Sequence, residues 1–135
     1  PEKTLNVYRQ ASSVYVDPTS FKRYTPYVEA LESADVSALV ALYEDYREEI
    51  ELRFEEISRP GESFDDALIE AIDVLLETPT VSLPYEVYSE SVMYKFKDPS
   101  IENLPAPQKQ LLRTGPDNVK RIKAILRKVR NELNS

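Results

Sequence analysis

The sequence predicts a mainly α-helical domain: about five helices in a compact, bundle-like body with a minor β element. Three observations carry this. Two long stretches place apolar residues three and four apart, the spacing of one helix face. Ten prolines and only two glycines favour elements that start and stop sharply. With 41% hydrophobic and 30% charged residues, the chain is too apolar for disorder. Its 135 residues fit a single domain, with residues 1–16 as an extended N-terminal segment and 17–135 as the helical body.

The extended segment, "TLNVYRQASSVYV", is rich in β-branched and aromatic residues and suits one or two short strands. Asp17 then offers a helix cap, and Pro18 fits the first helical position. Tyr24, Val28 and Leu31 follow at helical spacing. Pro26 interrupts them, which predicts two short helices or one kinked helix ending near Ala34.

The clearest pattern runs from Asp35 to Ser58, "DVSALVALYEDYREEIELRFEEIS". Val36, Leu39, Val40, Tyr43, Tyr46, Ile50, Phe54 and Ile57 form one stripe, which predicts one long helix with that stripe buried. Asp35 caps it and "SRPG" stops it. Another helix is expected in "SFDDALIEAIDVLLETP", with Ser63 and Asp66 as a capping box and Leu68, Ile72 and Leu75 or Leu76 buried. Residues 80–96 alternate weakly and read as short extended segments carrying Val81, Val87, Tyr88, Val92, Tyr94 and Phe96. "DPSIENLPAP" is a polar connection in which Pro99 opens a helical turn. Two helices close the chain, from about Pro107 to Thr114 and from Pro116 to about Leu133. Val119, Ile122, Ile125, Leu126, Val129 and Leu133 form the stripe of the last one.

The net charge of -7 is unevenly spread. Residues 105–135 carry eight Lys or Arg against two acids, while the acids crowd into residues 1–104. The expected reading is structural: the basic last helix lies beside the acidic stretch 35–58. A nucleic-acid partner is not expected, because such domains show a net basic footprint and this chain has a pI near 4.7.

Chemistry is constrained by what is missing. The chain has no Cys and no His, so no thiol or imidazole catalysis, no Ser-His-Asp triad, and no ordinary zinc or copper ligand set. Two glycines cannot build a phosphate-cradling loop. Glu44, Glu48, Glu51 and Glu55 share a helix face, but helical di-metal sites pair such glutamates with Glu-x-x-His motifs. They read as a solvated face. No catalytic residue, cofactor site or metal site can therefore be assigned, and the chain leans away from an enzyme. A carboxylate- and tyrosine-based glycan-binding or hydrolytic domain is the alternative.

"LLRTGPDN" invites comparison with a helix-hairpin-helix phosphate clamp. Such a clamp uses two glycines whose amides hold a phosphate. Here only Gly115 is present, and Asp117 in the first helical turn would repel the anion. The stretch reads as a corner in which Pro116 starts the next helix. The nine tyrosines suit either the margin of the core or a partner surface.

No apolar run approaches the ~20 residues that span a bilayer. Pro1 in place of an initiator Met is expected of a processed or excised domain.

Several stretches together resemble one family. "DPTSFKRYTPYVEALES", "FDDALIEAIDVLLETP" and "YKFKDPSIENLPAPQKQLLRTGPDNVKRIKAILRKVR" are similar, in that order, to the proteobacterial domain of unknown function 3014. The likeness is strongest from Tyr94 to Arg130, in the Asp-Pro, Gln-Lys and Arg-x-Gly-Pro-x-Asn phrases. The resemblance implies an envelope protein: a membrane anchor, a proline-rich spacer, then this domain on the periplasmic side of the inner membrane. It implies no activity, cofactor or catalytic residue. Polar residues filling its pattern, together with neighbouring Tyr27 and Arg121, define a candidate interaction surface: Tyr24, Tyr27, Lys109, Arg113, Asn118 and Arg121. The expected partner is another protein or a second copy of the chain.

Overall fold

A computed structural model describes residues 5–90 and 93–135. Val92, expected in an extended segment, lies outside the described residues, as do residues 1–4.

The architecture is mixed α and β, which corrects the expected five-helix bundle with a minor β element. Among the described residues there are eight helical segments, one of them a 3-10 helix, and a four-stranded antiparallel sheet. In chain order, β1 (Val7–Gln10) and β2 (Ser13–Val16) precede a 3-10 helix (Pro18–Arg23), α1 (Thr25–Glu32), α2 (Val36–Asp45), α3 (Arg47–Glu55) and α4 (Phe64–Leu76). Then follow β3 (Glu86–Glu90), β4 (Met93–Phe96), α5 (Pro99–Glu102), α6 (Ala106–Leu112) and α7 (Pro116–Leu133).

The sheet has the order β1-β2-β3-β4. The two hairpins are local. The pairing that joins them, Val14 opposite Val87 and Tyr15 opposite Glu86, spans most of the chain. This pairing makes the "minor" strands into one sheet, and no local pattern reveals it. Register does the rest. Val14, Val87 and Phe96 stand in line across three strands, so their side chains share one face. Val87 and Phe96 join Val16, Tyr85 and Leu112 in the buried core, and Val14 packs against it half-buried. On the opposite face Tyr8 and Tyr15 pair across the first hairpin with ring centroids 5.4 Å apart.

Several local expectations agree with the structure. Asp17, Asp35 and Ser63 each accept a backbone amide at the start of a helix, and Asp98, not singled out in the sequence, does the same. Each satisfies a donor that the first turn leaves unpaired. Two short helices form here, the 3-10 helix and α1, with Tyr24 between them and Pro26 in the first turn of α1.

The expected continuous helix from Asp35 to Ser58 is broken at Tyr46, where the backbone turns to φ -104 and ψ 7. The two halves dock on different targets. α2 packs on α7, whereas α3 folds against α4. A straight helix could not do both. The stripe is therefore not buried along its length: Val40 is buried, no residue of α3 is, and Ile57 is 84% exposed.

The charge pairing is also relocated. α7 meets α1, α2 and α4, but its ion pairs run to α1 and α4 rather than to the acidic stretch. Arg121 Nε donates to Glu32 at 3.0 Å, and Arg130 donates to Asp73 at 2.9 Å. The Arg121 pair holds the Glu32 carboxyl below its ordinary pKa, first through the hydrogen bond and then through charge.

Candidate functional site

The residues marked by the sequence fall into three places. Asn118 is interior, 3% exposed. Its Nδ2 donates to the carbonyls of Phe21 at 3.2 Å and Thr114 at 2.9 Å. The Phe21 carbonyl also accepts from the Tyr24 amide, so Tyr24 and Asn118 meet at one backbone oxygen. Gly115, with φ 92 and ψ 156, precedes Pro116 in a backbone region open essentially to glycine. Its amide is spent on the Leu112 carbonyl at 3.1 Å. The corner of "LLRTGPDN" is thus a joint that locks α7 onto the 3-10 helix.

Lys109 and Arg113 serve the edge of the sheet. Glu102 accepts the Phe96 amide at 2.9 Å and the Lys109 ammonium at 3.0 Å. Arg113 donates to the Tyr94 carbonyl at 2.9 Å, and its guanidinium lies 5.2 Å from the centroid of the Phe96 ring. Strand β4 is an edge strand whose open groups would otherwise invite another chain; α5 and α6 cover them with side chains. Burial pushes the Glu102 carboxyl up, but hydrogen bonds from Lys109 and the Phe96 amide, with the charges of Lys109 and Lys95, outweigh it. The net pKa lies below the ordinary value.

Tyr27 stands apart on α1, 65% exposed. Arg121 is held by Glu32 and by Asp117 at 3.7 Å. The marked residues therefore do not converge on one patch.

An open apolar surface lies elsewhere, where α2 breaks into α3. Leu42, Tyr46, Ile50, Phe54 and Phe64 line a groove of about 680 Å³ with Ile57 at its end. Leu42 is 54% exposed. The floor is aromatic: Phe64 meets Tyr43 at 6.1 Å and Phe54 edge-on at 5.6 Å between centroids. Polar contacts hold its shape. Tyr43 Oη donates to Asp65 at 3.0 Å, and Arg47 reaches the same carboxylate at 3.4 Å. Burial, then the bond to Asp65, raises the Tyr43 pKa. Glu51 accepts the amides of Phe64 at 2.6 Å and Asp65 at 3.4 Å. It caps α4 from the neighbouring helix, so it is not a member of a purely solvated face.

Residues 35–58 around this groove hold eight acids and two bases. The acids lining the adjoining hollow, Glu49, Glu55 and Glu56, all come from α3 or its last turn. They sit on one wall rather than facing each other as a hydrolytic pair would. The stripe that lines the groove was visible in the sequence; that it faces outward was not. Its apolar spacing reads the same whether a core or a partner covers it.

Among the described residues, no helix is long and apolar enough to cross a membrane. No curated protein and no solved structure matches the chain. A family profile does match, across residues 1–130, and it includes the corner, the sheet edge and the groove alike. The chain belongs to the family described as protein of unknown function (DUF3014).

Proposed function

We propose that this domain is a non-enzymatic protein-interaction module that seats an amphipathic, basic-flanked helix of a partner protein in the α2–α3 groove. The observation that carries the reading is an apolar groove left open between two halves of a broken helix, with an acidic surround. Large apolar side chains in contiguous exposed patches mark interaction surfaces. A helix laid into such a groove buries anchors at three- and four-residue spacing. The acidic surround favours a cationic occupant and disfavours a second copy of this acidic chain. The envelope setting, on the periplasmic side of the inner membrane with an anchored parent chain, belongs to the same reading and rests on the build of the proteins this chain resembles.

The test uses a fluorescent Leu/Lys amphipathic peptide, a Leu/Glu peptide of the same apolar pattern, and the variants Leu42→Glu and Ile57→Glu. Both variants change exposed residues and leave the fold intact. The expected result is salt-sensitive binding of the Leu/Lys peptide, little binding of the Leu/Glu peptide, and loss of binding in the variants. Equal binding of both peptides, or unchanged binding by the variants, overturns the reading. A concentration-dependent dimer abolished by Leu42→Glu would assign the groove to a second copy instead.

A further inference from the structure

A second hollow lies on the other side of the molecule, between the loop after α4 and the first half of α7. Its volume is about 580 Å³, within the ~300–1,000 Å³ typical of small-molecule sites. Its lining divides in two. Val81, Leu112 and Val119, with Tyr85, supply an apolar part. Lys120, Lys123 and Arg127 stand at i, i+3 and i+7 on one face of α7 and supply a cationic part.

These cations differ from Arg121 and Arg130 on the same helix. Arg121 and Arg130 are neutralised by Glu32 and Asp73. Among the described residues, Lys120, Lys123 and Arg127 pair with no carboxylate, although the chain carries a net charge of -7. Lys123 instead donates to the Thr78 carbonyl. Burial, with the charge of Arg127, lowers its pKa, so an arriving anion relieves an existing cost. The one acid in the lining, Asp117, pairs with Arg121 at 3.7 Å.

A buried polar group adds an independent observation. Tyr85 is 2% exposed, and its hydroxyl has no hydrogen-bond partner among the described residues. Phe21 and Phe96 flank its ring at 5.8 and 6.0 Å. Buried hydroxyls almost always find a partner, and this orphan one belongs to a residue that lines the cationic hollow.

We propose that this hollow binds a small organic anion, an apolar body bearing a carboxylate or phosphate head, with the head on Lys120, Lys123 and Arg127 and the body against Val81, Leu112 and Val119. Charge-assisted hydrogen bonds fix the head, and the apolar wall excludes water from the body. This site is separate from the α2–α3 groove, and its occupancy does not depend on a protein partner there.

The test is an amide NMR titration of the whole chain with phenyl phosphate, benzyl alcohol and inorganic phosphate. Phenyl phosphate is expected to give saturable shifts at Val81, Lys120 and Lys123, and to bind about tenfold or more tightly than either other probe. Lys120→Glu and Arg127→Glu, both at exposed positions, should weaken it about tenfold or more while the remaining spectrum stays folded. Absence of saturation up to about 10 mM overturns the proposal. So does equal affinity for benzyl alcohol, which would mean an apolar hollow only. Equal affinity for inorganic phosphate would mean a bare charge patch, and it overturns the organic-anion assignment too.

Discussion

Gly115 lies so close to Phe21 that a Cβ at that position would stand 2.5 Å from the ring's Cγ and Cδ2. The contact joins two elements almost a hundred residues apart, and Asn118 reinforces it by donating to the Phe21 carbonyl. Gly115→Ala must both strain a backbone at φ 92 and displace a packed ring. The expected loss is about 3 kcal/mol or more, read as a lower urea midpoint at unchanged m-value. Gly61, also at positive φ but with nothing within 4 Å, is the control: Gly61→Ala should lose less.

Glu51 caps α4 across the α3–α4 turn. Glu51→Ala removes an acceptor from the amides of Phe64 and Asp65. The expected cost is about 1 kcal/mol, the usual cost of a lost helix cap. Amide exchange at Phe64 and Asp65 should accelerate, while exchange in β2 and β3 should change only with global stability.

Glu102 gives the sheet edge a dependence on acid. Its folded pKa lies below the ordinary value, so its contribution is fully present above about pH 4.3, the value of an unperturbed Glu. It is lost as the pH falls through the lower folded value. Glu102→Gln should therefore be less stable than the parent chain at neutral pH, and the difference should shrink below about pH 4. Urea midpoints across an acid series check it.

Tyr85 carries a buried hydroxyl with no hydrogen-bond partner among the described residues. Burial pushes its pKa up to about 12, so at neutral pH it is a neutral donor. Tyr85→Phe removes an orphan buried hydroxyl. The unliganded chain should be unchanged or more stable by up to about 1 kcal/mol. A loss above about 1 kcal/mol would show that the hydroxyl already has a partner.

The helix ends were legible because their causes are local. Asp17, Asp35 and Ser63 each cap within three residues of themselves, and Pro116 starts α7 by its own geometry. The sheet was not legible as a sheet. The pairing of Val14 with Val87 is set by the shared burial of distant strands, and a four-residue strand carries little signal of its own partner. Family membership was legible in the phrases from Tyr94 to Arg130. The same phrases pointed to a surface, yet Asn118, Lys109 and Arg113 are engaged inside the molecule and at the sheet edge. Polar residues in such joints carry the same sequence mark as residues that meet a partner.

By itself, the sequence determined where the capped helices begin, which faces are apolar, and that this chain carries no thiol or imidazole side chain. Tertiary structure alone decided which apolar face is covered. The stripe from Val36 to Ile57 breaks at Tyr46 because α2 gains contact with α7 and α3 with α4, and no straight helix reaches both. That division buries Val40 and leaves Leu42 and Ile57 in solvent. Hydrophobic burial is non-directional: it specifies that a face be covered and leaves the choice of cover to the packing of the whole chain.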